Sequence, residues 1–201
     1  MKELLIATRN PNKTKQFSTA LANLYAVCDL TDFPEMPEVE ESGATFRENA
    51  ELKALGASRY TGDIVLADDS GLCVDALGGE PGIYSARYSG ENATDSSNNE
   101  LLLKKLNQAS VQGQARTARY QCCIVLAQRE KVLHVANGTV EGQIAERPRG
   151  SGGFGYDPLF IPEGYTQTFA ELPTEIKMTF SHRGKALALA LQYLKTAASV
   201  R

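Results

Sequence analysis

The segment SGGFGYDPLF at residues 151–160 combines glycines, aromatic side chains and one acid in a pattern that suits a planar ligand. Glycine permits positive φ angles and lets a ligand approach the backbone closely. Phe154 and Tyr156 supply flat apolar faces, and Asp157 supplies a hydrogen-bond acceptor. These residue types could form a pocket for a ring with polar edges. The alternative is a glycine-rich turn into a buried strand at 159–161, with both aromatic rings packed beneath it.

A second chemically distinctive segment, TRNPNK at residues 8–13, directly follows a short apolar run. It places a hydroxyl, an amide and Lys13 at the start of a helix. The turn after the first strand of an α/β protein is a usual place for an anion, so we expect phosphate to bind here. The P-loop consensus is absent here and around Arg183, which argues against a P-loop kinase or ATPase. A plain N-capped surface helix is the alternative.

Two adjacent acids, Asp68 and Asp69, stand in the motif ADDSGL, where we expect a buried strand at 64–67 to end and a turn to begin. Successive strand residues point to opposite faces, so the two carboxylates need not share one environment. A magnesium ion bound by one or two carboxylates and by substrate phosphates would relieve their repulsion. Glu40 or Glu41 in the preceding acidic loop could supply another oxygen. A solvated strand end without a metal is the alternative.

The segment SHRGK at residues 181–185 departs from the usual charge pattern of a helix start. Ser181 is expected to cap the last helix, so that His182 and Arg183 stand in its first turn, with Lys177 shortly before. Positive side chains there oppose the helix dipole unless an anion or an acceptor-rich ligand is bound. Such a local conflict is typical of a functional site. The alternative is a solvated basic cluster.

The elements that must position these residues follow from apolar spacing and turn signals. Strands are expected at 4–6, 27–30 and 64–67, and a hairpin is expected for ARYQCCIVLAQ and KVLHVANGTVEGQI with its turn at Arg129-Glu130. Helices are expected from Asn10-Pro11 to about Leu24, from a Thr45/Glu48 capping box to about Ser58, over TDSSNNELLLKKL, and over roughly 182–196. The elements interleave without strict alternation, which predicts an α/β protein with a mixed sheet.

Length and composition limit the class of protein. The 201 residues, 42% hydrophobic and 22% charged, suffice for one large domain or two lobes. The net charge of −3 and the absence of interleaved aromatic and basic residues argue against a nucleic-acid partner. The four cysteines have no disulfide or zinc spacing, which favours a reduced, cytoplasmic compartment. The short N-terminal apolar run predicts neither a signal peptide nor a membrane span.

Taken in order, these segments resemble the inosine triphosphate pyrophosphatase family, whose members hydrolyse non-standard purine nucleoside triphosphates to the monophosphate and pyrophosphate. The resemblance covers nearly the whole chain and rests on TRNPNK, EESG, FRENAELKA, ADDSGL, PGIYSARYSG, GGFGYDP and SHR. Each motif is weak alone, but their order and spacing together are highly specific. Asn12 is a departure, because many relatives have glycine there.

The resemblance implies a single domain over residues 1–201 with an elongated α/β fold, in which a long mixed sheet is flanked by helices and a cleft separates two lobes. It also implies a homodimer, a purine nucleoside triphosphate as the bound small molecule, and Mg²⁺ as the cofactor. The implied reaction is attack of water on the α-phosphorus without a covalent intermediate. Its implied role is to cleanse the nucleotide pool of ITP, dITP and XTP.

Roles for individual residues come from the same resemblance. Asp69 is the implied general base that activates water, and Glu40 and Asp69 are the implied magnesium ligands, assisted by Asp68. The implied substrate-binding residues of the first part of the chain are Thr8, Arg9, Asn10, Pro11, Asn12, Lys13, Lys53 and Ser70, of which Thr8, Asn10 and the two lysines hold the triphosphate. By the same resemblance, Phe154 would stack on the purine, Gly155, Tyr156 and Asp157 would complete the pocket, and Lys177, His182 and Arg183 would contact the 6-oxo edge.

Two other functions remain open at this stage. One is a pyrophosphatase for modified pyrimidine nucleotides, as in the neighbouring Maf-like family, although GGFGYDP and SHR argue against it. The other is a nucleotide-sensing or nucleic-acid-binding module without turnover, in which ADDSGL would be structural. The negative net charge disfavours the nucleic-acid form of this second function.

Overall fold

The computed structural model describes residues 2–199, which form a mixed α/β structure. Its strands are β1 (Lys2–Ile6), β2 (Tyr25–Asp29), β3 (Ile64–Val74), β4 (Thr117–Gln128), β5 (Lys131–Ile144) and β6 (Phe160–Pro162). Its helices are α1 (Pro11–Leu21), α2 (Phe46–Ser58), α3 (Asp95–Gln108), α4 (Thr174–Phe180) and α5 (His182–Ser199). Within the described residues, each helix is too short or too polar to cross a membrane.

The strands form one six-stranded sheet in the order β2-β1-β3-β4-β5-β6. Strand β1 pairs in parallel with both β2 and β3, whereas β5 and β6 are antiparallel. Leu4, Leu5 and Ile6 are at most 1% exposed, as expected for an apolar run in a parallel strand that is covered on both faces. Arg129 and Glu130 both have positive φ angles between β4 and β5, as a tight hairpin turn requires. The predicted α/β class with a mixed sheet is confirmed.

The chain divides into two compact units. The first lies within residues 1–69, 123–137 and 186–201, and the second comprises residues 70–122 and 138–185. Strands β3, β4 and β5 and helix α5 each contribute residues to both units. The single two-lobed domain expected from the sequence stays a prediction.

The first unit has a core of small and aliphatic side chains. Ala50, Ala54 and Ala57 on α2 recur at helical spacing and are nearly inaccessible, and they pack in one cluster with Val65 and Cys123. Small side chains let a helix approach a sheet closely. The core therefore fixes the face of α2 that is turned toward β3 and β4.

One expected boundary is wrong. Strand β3 does not end before the two aspartates but continues to Val74. Leu72 and Val74 are completely buried in the second unit's core, and the Leu72 N–H donates to the Ser85 hydroxyl. The alternation of buried apolar side chains therefore resumes after the acids and extends the strand, so that Asp68 and Asp69 lie within it rather than at its end.

Other boundaries differ less from the prediction. Helix α1 ends at Leu21 rather than about Leu24, because Tyr25 already pairs with Lys2 in the sheet. The Thr45 hydroxyl caps α2 as predicted, but the Glu48 carboxylate accepts from the Ala44 N–H, so the predicted capping box is only half formed. The start of α2 is nevertheless the predicted one.

The second unit has an aromatic core, in which the Tyr120, Phe160 and Phe169 rings pack against one another. Helix α3 contributes two completely buried leucines, Leu102 and Leu106. Burial of each such large apolar side chain stabilises the folded state by roughly 2 kcal/mol. These contacts anchor α3 in the core of this unit.

Candidate active site

The loop between β1 and α1 is fixed by its own side chains. The Thr8 hydroxyl accepts from the Asn10 N–H at 3.1 Å, and Asn10 Oδ1 accepts from the Asn12 N–H at 2.9 Å and the Lys13 N–H at 3.4 Å. Two backbone donors that an anion could use at a helix start are thus already bonded. Among the residues of this loop, the Lys13 ammonium is therefore the main candidate for a phosphate ligand.

The remaining predicted members of this loop are more exposed. Pro11 and Asn12 lie at the surface, and Arg9 is held by a hydrogen bond from its guanidinium Nη2 to the Met36 carbonyl at 2.8 Å. The Asn10 cap and the proline in the first turn of α1 are as predicted from the sequence. Binding of substrate by these residues stays a prediction.

The two adjacent acids have different partners, as the alternation of side chains along a strand predicts. Lys13 Nζ lies 2.9 Å from Asp68 Oδ1. Lys53 Nζ lies 3.2 Å from Asp69 Oδ1, and Asn49 Nδ2 donates to Asp69 Oδ2 at 3.2 Å. Each aspartate is therefore paired with its own lysine, which relieves the repulsion between the two carboxylates.

A third carboxylate joins this cluster from the acidic loop. Glu41 Oε1 lies 2.6 Å from Lys53 Nζ, whereas the neighbouring Glu40 side chain is exposed. Glu40 is the metal ligand that the family resemblance implies, and this assignment stays a prediction. The structure adds Glu41 as the acid of this pair that contacts Lys53.

The oxygen donors of this cluster suit magnesium chemically. In residues 2–199, no group of three or more His, Cys, Asp or Glu side chains surrounds a possible metal position. Magnesium needs only one or two protein carboxylates when substrate phosphates and water supply the other ligands. Asp69 and Glu41, which share Lys53 as a partner, are the carboxylates of this cluster that could supply those oxygens.

Burial and charge act in opposite directions on Asp69. Burial raises the pKa of Asp69 above its ordinary value, the Lys53 ammonium opposes this increase, and the Glu41 carboxylate adds to it. Burial alone would lower the pKa of Lys53, but Asp69, Asp68 and Glu41 together raise it. Lys53 is therefore a stable cation beside a carboxylate of increased basicity.

In the second unit, the turn at 153–157 is closed by Asp157. Asp157 Oδ2 accepts from the Phe154 N–H at 3.1 Å and from Lys177 Nζ at 2.6 Å. A Cβ atom at Gly153 would lie only 1.9 Å from this oxygen, so a side chain cannot be added there without displacing it. Glycine at 153 and acid at 157 are thus required by one packing arrangement.

The Lys177–Asp157 pair is almost completely buried, with residue exposures of 6% and 5%. Burial raises the pKa of Asp157, and the Lys177 ammonium opposes the increase. The family resemblance implies that Lys177 lies at the 6-oxo edge of a purine, and this stays a prediction. The Lys177 ammonium contacts Asp157 and lies 5.6 Å from the centre of the Phe169 ring, and an ammonium can donate three hydrogen bonds.

Arg183 contacts this turn directly, whereas His182 packs on Tyr120. The Arg183 guanidinium carbon lies 5.5 Å from the centre of the half-buried Phe154 ring, and its Nη2 donates to the Ser70 hydroxyl at 2.9 Å. The His182 ring stacks on Tyr120 with 4.5 Å between centroids and 8° between planes. The structure thus brings Phe154, Arg183 and Ser70 together, and it orients His182 through a neighbouring ring.

Two residues of this environment are not among those predicted from the sequence. Asn49 contacts Asp69 and could have been found, because it stands one turn before Lys53 on the same face of α2. Tyr120 accepts the Tyr156 N–H through its hydroxyl oxygen, and its buried position raises its pKa well above the usual tyrosine value. No local pattern in β4 indicates this role.

Lysine-paired aspartates in one strand and a half-buried aromatic ring beside an arginine are residue types that suit an anionic ligand with an aromatic ring. The chain belongs to the Ham1 family, whose sequence model matches residues 4–193. The curated relatives of the chain bear a pyrophosphatase name, so the resemblance found in the sequence is confirmed. The chain is thus an enzyme of the hydrolase class that acts on phosphoric anhydrides.

The relatives match over nearly their whole length. A Geobacter sulfurreducens protein named dITP/XTP pyrophosphatase is 50% identical over 195 residues, which are 96% of this chain and 97% of that protein. A Desulforamulus reducens protein of the same name is 49% identical over 193 residues, covering 96% and 95% of the two chains.

Solved structures share the fold. The Staphylococcus aureus Ham1 protein has a TM-score of 0.86 and 41% identity, and a HAM1 protein from Coxiella burnetii has a TM-score of 0.88 and 40% identity; both comparisons cover 98% of this chain and 100% of the other. A Mycobacterium abscessus structure described as nucleoside-triphosphatase / dITP/XTP pyrophosphatase has a TM-score of 0.76 and 43% identity, covering 94% and 98% of the two chains.

Proposed function

We propose that the chain hydrolyses ITP, dITP and XTP to the corresponding monophosphate and pyrophosphate, and thereby removes non-standard purine nucleotides. The observation that carries this proposal is the environment of Asp69, a buried carboxylate held between Lys53 and Asn49. The names of the two relatives described above supply the substrate class. The reaction needs a base and cations at one place, and this cluster contains both.

The residues of the first unit act on the triphosphate. Lys13 and Lys53 bind phosphate oxygens and neutralise charge that develops on them during the reaction. Asp69 accepts a proton from the water that attacks the α-phosphorus, and pyrophosphate leaves in line with that attack. The increased basicity of Asp69 suits this role. No serine or cysteine nucleophile is required.

Magnesium fits the same cluster. Asp69 and an acid of the 40–41 pair would hold the ion, and substrate phosphates would supply further ligands. When bound, the ion supplies positive charge at the phosphate oxygens. Asp68, paired with Lys13, keeps that lysine directed toward the cluster. The exposed Glu40 and the lysine-bound Glu41 are alternative donors, and their single substitutions distinguish them.

The residues of the second unit recognise the base. Phe154 stacks on the purine plane, and Arg183 and His182 donate to the oxygen at position 6. Adenine presents an amino group at this position, and a mismatch of buried polar groups can discriminate by roughly 10⁴-fold. ATP is therefore a poor substrate. Guanine also has a 6-oxo group, so exclusion of GTP requires a contact at its 2-amino group.

The assembly and compartment are also proposals. The four cysteines are free thiols, which supports a reducing compartment such as the cytoplasm. A homodimer is the assembly that the family resemblance implies. Light scattering of the purified protein across a range of concentrations tests it, and a constant monomer mass would contradict it.

The decisive experiment measures pyrophosphate release from ITP, XTP, GTP, ATP and TTP, with and without magnesium. The variants are wild type, Asp69→Asn and, as a matched control, Asp63→Asn at the start of the same strand region. We expect rapid magnesium-dependent release from ITP and XTP, little from ATP, and a loss of about 10³-fold or more in Asp69→Asn. Asp63→Asn keeps an acceptor for the Thr61 hydroxyl and retains full activity.

Each contrary outcome points to a different conclusion. If TTP or a modified pyrimidine nucleotide is the best substrate, the base pocket assigned to Phe154 and Arg183 is wrong. If every triphosphate is inert but ITP still binds, the sensing function is favoured over hydrolysis. Equal losses in Asp69→Asn and Asp63→Asn would reject Asp69 as the base.

A further inference from the structure

Helix α3 forms hydrogen bonds with both polar backbone groups of Gly155, which lies in the middle of the turn at 153–157, called the aromatic turn below. The Gly155 N–H donates to Asp95 Oδ2 at 2.7 Å, and the Gly155 carbonyl accepts from Asn99 Nδ2 at 2.9 Å. Asp95 and Asn99 stand four residues apart on α3, so they lie on one face of its first turn. The helix therefore bonds to two consecutive peptide units, the one before Gly155 through its N–H and the one after it through its carbonyl.

The first turn of α3 is itself rigid. Thr94 and Ser97 form a reciprocal capping box at its start. Asn99 is only 7% exposed, and its Nδ2 also donates to the Asp95 carbonyl at 2.7 Å. The acceptors on Nδ2 are both carbonyl oxygens, which fixes the orientation of this amide. The helix start and the Asn99 amide are thus held by hydrogen bonds within the protein itself.

Gly155 needs such restraint. Its φ of 64° lies in the left-handed region, and it has no side chain that could anchor it by packing. Phe154 directly precedes it, so rotation of the peptide between them would move the Phe154 ring. A hydrogen bond from an N–H to a carboxylate is stronger than one between neutral groups.

We propose that Asp95 and Asn99 are positioning residues for base recognition. They hold the backbone of Gly155 so that the Phe154 ring stays beside Arg183. This inference rests on the proposed function, because it assigns the turn to the purine base. It also has a consequence for the substrate. The Gly155 N–H is already committed to Asp95 and is not a donor to the base.

A test without nucleotide uses the fact that the chain contains no tryptophan. The variant Phe154→Trp introduces one indole at the ring position, and its fluorescence anisotropy reports local motion. In that background we compare Asp95→Ala, Asp95→Asn and Ser96→Ala. Ser96 is an exposed neighbour whose hydroxyl donates to Glu100, so it is a matched control on the same turn.

We expect Asp95→Ala to lower the anisotropy and Asp95→Asn to retain it, because an amide oxygen still accepts from the Gly155 N–H. Ser96→Ala leaves it unchanged. The comparison also separates positioning from helix stabilisation, since asparagine lacks the charge that favours a helix start. If Asp95→Asn behaves like Asp95→Ala, or if no variant changes the anisotropy, the positioning role is rejected.

Kinetics with ITP supply the second readout. Asp95→Ala in the otherwise wild-type chain raises KM by about tenfold with kcat little changed, because a displaced ring weakens binding in the ground and transition states alike. Asp95→Asn restores most of the affinity. An unchanged KM in Asp95→Ala overturns the inference. If the wild type does not hydrolyse ITP, the proposed function fails, while the anisotropy measurement still decides whether α3 positions the turn.

Discussion

Lys177 Nζ lies 2.6 Å from Asp157 Oδ2, and the same oxygen accepts the Phe154 N–H. Because Lys177 belongs to α4, this buried ion pair connects that helix to the aromatic turn of the proposed base pocket. The pair also explains why residue 153 is glycine, since any side chain there would displace the carboxylate. The Asp157 carboxylate therefore joins α4 to the backbone of this turn through one ion pair and one hydrogen bond.

The first prediction concerns this pair. Lys177→Met leaves a buried carboxylate without its counterion, so we expect the free energy of unfolding to fall by about 3–5 kcal/mol. Asp157→Asn added to that variant removes the uncompensated charge and keeps an acceptor for the Phe154 N–H. Urea unfolding should show that the double variant is more stable than Lys177→Met alone. If the loss of stability in the double variant equals the sum of the losses in Lys177→Met and Asp157→Asn, the two residues are not energetically coupled and the prediction is contradicted.

The second prediction separates a steric clash from backbone strain at glycine. Gly153 and Gly164 both have positive φ angles, at 75° and 81°. A Cβ atom added at Gly153 would clash with Asp157, whereas one added at Gly164 would have no other atom within 4 Å. Gly164→Ala should therefore cost about 1 kcal/mol through its backbone conformation alone. Gly153→Ala should cost clearly more and also raise KM for ITP. Equal losses in urea unfolding would show that strain alone acts at both positions.

Much of the framework could be predicted because its signals are local. Asn10 followed by Pro11 marked the start of α1, and the Ser181 hydroxyl accepts from the Gly184 N–H at the predicted start of α5. Alternation of side chains along a strand indicated that Asp68 and Asp69 have different partners, and the structure assigns each its own lysine. Propensity, capping and period act within a few residues and can be read directly from the sequence.

The rest depends on contacts between distant segments. Ser70 and Gly71 read locally as a turn, but burial of Leu72 and Val74 in a tertiary core keeps this segment in β3. The Asp95 contact with Gly155 spans sixty residues of sequence. A single sequence contains no signal for such a pairing, since neither partner's local pattern changes when the other is present.

The third prediction concerns the dependence of stability on pH. Burial favours a raised pKa for Asp29, but hydrogen bonds from Thr14 and Thr31 outweigh it and lower the pKa below its ordinary value. A lowered pKa in the folded state contributes stability above the unfolded pKa of about 4, and this contribution is lost as the pH falls through the folded value.

Asp29→Asn removes this ionisable group and tests its contribution. We expect urea unfolding to give a larger difference in stability between wild type and Asp29→Asn at about pH 7 than at about pH 3. Asp32→Asn, at a neighbouring exposed acid for which an amide oxygen still accepts from the Asp29 N–H, is the control and should change little. A difference for Asp29→Asn that stays constant with pH would show that Asp29 ionisation does not stabilise the fold.

The fourth prediction concerns thiol reactivity. Burial raises the pKa of Cys123 to about 11, and burial also raises the pKa of the half-buried Cys28 and Cys73. The thiolate is the reactive form, so at about pH 8 only about one Cys123 thiol in 10³ is ionised. We expect slow labelling of the native protein by an aromatic disulfide reagent and rapid labelling of four thiols in concentrated guanidinium chloride.

The variant Cys28→Ser/Cys73→Ser isolates the two buried thiols at Cys122 and Cys123. Both are 2% exposed, so labelling requires local opening of β4 as well as ionisation. In this variant, the native protein should be labelled much more slowly than the denatured protein. The difference in rate should exceed the factor that the smaller thiolate fraction alone would produce. Labelling at the rate of a free cysteine would mean that β4 opens readily. The buried core around Cys122 and Cys123, on which the Asp69 cluster depends, would then not be rigid.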